Sequence, residues 1–123
     1  MGSRIAGADY ALYQTVICSE GANRVVLLLY GWAIKLPRLR AWRCGLANNR
    51  NEYRWQGGHP SYCPVLWCAP FGLFAIMPRA SVLTDVEFAT LDAHLPALPG
   101  VERKASSWGW LNGRVVAIDY GWR

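Results

Sequence analysis

Residues 10–36 are read as three strands. "YALYQTVIC", "RVVLLLY" and "WAIKL" are rich in β-branched and aromatic residues, and "SEGAN" and Tyr30-Gly31 punctuate them. Such short connections predict antiparallel pairing. From Arg38 the period lengthens. Leu39, Trp42, Leu46 and Tyr53 recur at helical spacing, with Pro37 tolerated at the start. The pattern predicts a helix over 38–55 that buries this stripe against the sheet, weakened by Gly45 and the Asn48-Asn49 pair.

After the loop "QGGHPS", the runs "YCPVLWCA" and "LFAIMP" predict two further strands joined at "PFG", their prolines marking edges or ends. "TDVE", Thr84 to Glu87, is a capping box ahead of Phe88 and Leu91, and Pro96 and Pro99 end the short helix that follows. "GVERKASS" then leads into a hairpin whose Asn112-Gly113 turn precedes "VVAI". The expected class is α+β: an antiparallel sheet of about five strands, one main helix, a short second helix and a C-terminal β-hairpin. Residues 1–123 form one domain.

Composition agrees with a single core, because 53% of the 123 residues are hydrophobic and seven are tryptophan. Trp32, Trp42, Trp67 and Trp110 are expected inside it, whereas Trp122 is hard to bury alone and marks a candidate interface. No apolar run approaches the roughly 18 residues of a membrane span, and the first residues lack a secretion signal. The expectation is a cytoplasmic protein with no membrane contact. The cysteines are then reduced thiols. His59, Cys63 and Cys68, with Cys44 as a fourth, lack a close Cys-x-x-Cys pair, so no zinc or other metal is assigned. His59 and His94 have no nucleophile or acid at motif spacing, and no catalytic residue is assigned.

Charge adds a second candidate surface. Between residues 35 and 54 six cations face the single acid Glu52, so this segment carries the whole net charge of +5. Arg38, Arg40, Arg43, Arg50 and Arg54 cannot all turn inward without unpaired buried charge. Outward, they suit an acidic protein groove or a phosphate backbone, and a plain solvated face is the alternative. The aromatic residues read as scattered rather than interleaved with these arginines.

"AIK" at 33–35, Glu52 on the following helix and "IDYG" at 118–121 come in an order that resembles the small lobe of a protein kinase or aminoglycoside-phosphotransferase-like protein, followed by a much shortened remnant of the large lobe. The resemblance implies that Lys35 pairs with phosphate and with Glu52, and that Asp119 is the prospective magnesium ligand. Gly21 matches the middle glycine of the phosphate-covering loop, while Ser19 and Arg24 replace the outer two. It also places Glu102 where the catalytic Asp stands and Ser107 where the second metal-binding Asn stands; His-Arg-Asp is absent. Serine is a much poorer magnesium ligand than a carboxylate or amide oxygen.

Apart from the resemblance, Lys35 reads as snorkelling to the surface or pairing with an acid, the order of the parts pointing to an ion pair with Glu52, and Asp119 reads as the cap of the terminal turn. Together these features predict a non-catalytic, kinase-like binding protein without a cofactor. It would be a phage or mobile-element inhibitor docking on a larger host complex, an anti-defence role against a complex that handles nucleic acid being one such case. The alternatives are a minimal phosphotransferase using Mg-ATP and a nucleic-acid-binding protein using the arginine helix. Oligomeric state stays open.

Overall fold

The computed structural model describes residues 16–20 and 23–121. Gly21 and Trp122 lie outside the described residues, as does the front of the first expected strand. Strands β1 (Val16–Glu20), β2 (Arg24–Leu29) and β3 (Trp32–Pro37) form an antiparallel meander, in which Val26 stands opposite Lys35 and Leu28 opposite Ala33. β4 (Trp67–Cys68) and β5 (Ala75–Pro78) complete a sheet of order β1-β2-β3-β5-β4. A second antiparallel sheet joins β6 (Ser81–Val82) to the hairpin β7 (Trp108–Leu111) and β8 (Arg114–Ala117). The hairpin turns at Asn112 and Gly113, with φ of 53° and 80°, values that this Asn-Gly pair accommodates.

The expected strands around "PFG" are shorter than their apolar runs. Pro64 and Pro70 supply no N–H to a ladder, and the segment before Pro64 is drawn to β8: Cys63 N–H donates to Ala117 O at 2.8 Å and Ala117 N–H to Ser61 O at 2.7 Å. The capping box forms as read. Thr84 Oγ1 accepts from Glu87 N–H, and helix α2 (Asp85–Leu91) follows. Glu87 also accepts from Trp110 Nε1 at 3.0 Å, which ties α2 to the second sheet.

The main helix, α1 (Trp42–Trp55), begins after a 3-10 turn over Leu39–Ala41, and its orientation corrects the sequence expectation. Most of the supposed core stripe faces outward: Leu39 is 93% exposed, Trp42 49% and Tyr53 53%, while Leu46 is half-buried. The face against the sheet is Gly45, Asn49 and Glu52. Close approach explains the inversion. A Cβ at Gly45 would lie 2.5 Å from Pro37 Cβ, so the helix backbone rests almost directly on the end of β3. Asn49 and Glu52 find hydrogen-bond partners there, which offsets the cost of burying them.

Trp32 and Trp67 are likewise about half exposed and Trp110 half-buried. The tryptophan at the centre is Trp108, fully buried with Tyr120, Met77, Val116 and Leu83. Among the described residues no helix is long and apolar enough to cross a membrane.

Candidate functional site

Alternation along two strands builds one wall of the site. Arg24, Val26 and Leu28 share a face of β2, as Ala33 and Lys35 do on β3, and the register sets Val26 against Lys35. Two buried cations thus sit in phase with an apolar face. Their acid comes from α1: Glu52 accepts from Arg24 Nη1 at 2.7 Å and Nη2 at 2.9 Å, and from Lys35 Nζ at 3.1 and 3.2 Å. Asn49, nearly one turn earlier, accepts from Arg24 at 3.1 Å and donates to Lys35 O at 3.1 Å and Gly72 O at 2.9 Å.

The segment after β8 closes the cluster. Tyr120 N–H and Gly121 N–H donate to Glu52 Oε2 at 2.9 and 3.1 Å, and Asp119 Oδ1 accepts from Arg24 Nη2 at 2.9 Å. Lys35 Nζ also donates to Ile118 O. Only glycine fits at 121, since a Cβ there would lie 2.2 Å from Asn48 O. Tyr120 turns into the core, its ring 4.4 Å from that of Tyr62 and its hydroxyl donating to Cys63 O.

Burial alone would raise the Glu52 carboxyl, but Arg24 and then Lys35 outweigh it and hold the group down to about 2, so Glu52 is ionised at neutral pH. Burial, followed by the Glu52 charge, pushes the Tyr120 phenol up. Burial likewise lifts the Cys63 thiol to about 11, so that sulfur is a core group rather than a nucleophile.

Of the residues expected at a nucleotide site, Lys35 and Glu52 meet directly and Asp119 joins them through Arg24. Asp119 pairs with the Arg24 guanidinium, and the terminal turn that it was expected to cap runs outside the described residues. Glu102 is exposed and sits 3.4 Å from Lys104 Nζ. Ser107 is buried, and its Oγ has no hydrogen-bond partner among the described residues.

The residues present do not fit the magnesium ion of the kinase-like reading. Asp119, its prospective ligand, already faces the Arg24 guanidinium, and the Ser107 position does not line the neighbouring cavity. The cysteines do not gather either. Cys44 is exposed, the Cys63 and Cys68 thiols face Pro78 O and Asn49 O, and no group of three or more His, Cys, Asp or Glu side chains suited to a metal occurs among the described residues.

Sequence reasoning missed Arg24, Asn49 and Tyr120. The available signal was phase. Arg24 alternates with Val26 and Leu28 on the face that an apolar run buries, and a buried cation requires an acid.

The arginine segment supplies the second candidate surface. Arg40, Arg43, Arg50 and Arg54 are exposed, and Arg38 is half-buried. The Arg43 guanidinium lies 5.1 Å from the Trp42 ring centre, and Arg50 donates to Phe71 O at 2.8 Å. Trp42 and Tyr53 stand exposed on the same helix as Arg43, Arg50 and Arg54, so aromatic and cationic residues do share a surface. No family model matches the chain, and no curated protein matches it.

Proposed function

We propose that the protein is a non-catalytic binding protein with a kinase small-lobe-like arrangement, which docks the outer side of α1 on an acidic surface of a larger protein complex. The observation that carries this reading is the inverted helix. Asn49 and Glu52 face inward while Leu39, Trp42 and Tyr53 stand exposed near Arg40, Arg43, Arg50 and Arg54. Glu52, the segment's one acid, is buried with Lys35, so the outer face carries cations alone. Arginine and aromatic side chains concentrate at the energetic centres of protein interfaces. A phosphate backbone would use the arginines but gives Leu39 nothing apolar to cover it, which favours a protein partner over nucleic acid.

The buried Arg24–Glu52–Asp119 arrangement supports a protein that needs no metal or nucleotide cofactor. It weakens the alternative of a minimal phosphotransferase. Inhibition of a host assembly by a phage or mobile element, including a defence complex that holds nucleic acid, is the biological setting we assign. The cytoplasm is its location.

Affinity capture from the host with the full chain, followed by mass spectrometry, tests the reading. A specific complex retained by the wild type and lost with Arg40→Glu/Arg43→Glu is expected, together with no ATP turnover. Weak binding to bare duplex DNA is expected alongside. Equal retention by the reversed variant overturns it. So does tight DNA binding whose affinity falls with salt by a log-log slope of about 0.9 per phosphate contacted.

A further inference from the structure

We infer that the outer face of the five-stranded sheet, the one turned away from α1, is where two copies of this chain pair face to face. Strand alternation defines that face. Val25, Leu27 and Leu29 alternate along β2 with the inward Arg24, Val26 and Leu28, and the register sets them opposite Leu36, Ile34 and Trp32 of β3. Ile76 of β5 stands beside Ile34, and Trp67 of β4 beside Ile76, so the apolar row crosses four strands. No charged side chain occupies any of these positions. Trp32 and Trp67 are about half exposed, Leu36 is 36% exposed, and the other five are half-buried. An antiparallel sheet with one solvated face carries polar residues there, whereas a near-continuous apolar run such as "VVLLL" marks a strand covered on both faces.

Position, area and chemistry together choose a second copy as the cover. Glu52 of α1 and the segment after β8 already occupy the inner face, so a partner engaging Trp42 and Tyr53 on α1 lies across the sheet and leaves Trp32 and Trp67 open. Taking about 150–250 Å² for a whole aromatic side chain, the two tryptophans and their neighbours leave on the order of 500 Å² of apolar surface open. That is the size at which an apolar patch marks an interaction site. Two such faces together remove about 1,000 Å², the lower bound for a specific interface. Arg38 and Arg40 stand only at the rim, around the hollow that Val25 and Leu36 line, which gives the face an apolar centre and a charged edge. A centre without charge offers a foreign partner little to select it, yet it matches itself, and stacking sheet on sheet is the ordinary way to bury such a face.

The inference does not rest on the docking role of α1. Sedimentation equilibrium of the full chain, over a wide range of loading concentrations, tests it. A reversible monomer–dimer equilibrium with a micromolar dissociation constant is expected, as suits an interface of this area. Trp32→Glu/Trp67→Glu should weaken it at least tenfold while far-ultraviolet dichroism and cooperative thermal unfolding are kept, because a twofold axis places each new charge in the contact twice. Should that variant fail to fold, Leu36→Glu nearer the rim reads the same weakening. A monomer at every concentration overturns the inference, whether the face then proves to be covered by residues 1–15 or by a host protein. So does a dimer that these substitutions leave intact, since its contact would lie elsewhere. A failed host capture would instead overturn only the docking role.

Discussion

The two faces of α1 use the same kinds of residue to opposite ends. Inward, Glu52 and Asn49 hold Arg24 and Lys35 in a buried, hydrogen-bonded cluster. Outward, arginines lie beside aliphatic and aromatic groups that nothing within the described residues covers. The difference teaches that helical phase and helical direction are separate facts. A stripe at helical spacing identifies a face, but the partners available on the sheet decide whether it turns inward.

The largest effect should come from breaking the inner face. Glu52→Gln leaves Arg24 and Lys35 buried without their shared acid, and about 3–5 kcal/mol of stability should be lost in urea unfolding. Loss below 1 kcal/mol would mean that the cluster is wetter than its burial indicates.

Acid titration approaches the same pair more gently. The folded Glu52 lies near 2 against an ordinary 4.5. Its stabilisation is therefore present above 4.5 and drains away as pH falls from there through about 2. The depression corresponds to roughly 3 kcal/mol at neutral pH, to be read from denaturation at pH 7, 4 and 2.5. Glu52→Gln should flatten that part of the profile.

Gly45→Ala ranks next. The added methyl meets Pro37 and Asn23 O, so α1 must shift off the sheet, at about 1–3 kcal/mol, and the near-ultraviolet tryptophan signal should change with it. The outer face should respond least. Leu39→Ser and Arg40→Glu/Arg43→Glu should each leave stability within about 0.5 kcal/mol of wild type by thermal unfolding. A large loss from either would make the outer face structural and remove the contrast.

Local signals carried much of the fold. The glycine-punctuated meander, the Thr84–Glu87 capping box and the Asn112-Gly113 hairpin are each decided by neighbours a few residues apart. Lys35 and Glu52 were legible as a pair from the kinase-like order of a strand carrying the lysine and a following helix carrying one acid. The cluster around them was not. Arg24 finds its acids 28 and 95 residues away, and no window of the sequence contains both ends. The helix face was misread because periodicity treats apolar residues as inward by default, whereas Gly45 sets the approach distance and Asn49 and Glu52 set the chemistry. Trp108 went unremarked among seven tryptophans because composition does not distinguish the residue between two sheets from those on their rims.

The closure of the cluster by Asp119, Tyr120 and Gly121 also sets an order of events in folding. The meander and α1 pair locally and can assemble early, but Glu52 waits for N–H groups 68 and 69 residues ahead, and Arg24 for a carboxylate 95 residues ahead. On a ribosome, Arg24, Lys35 and Glu52 emerge long before their last partners. Until those arrive the sheet and helix hold an incomplete polar cluster that water must fill. The final consolidation of the domain is therefore a late, long-range step, and substitutions at Tyr120 or Gly121 should slow folding less than they speed unfolding.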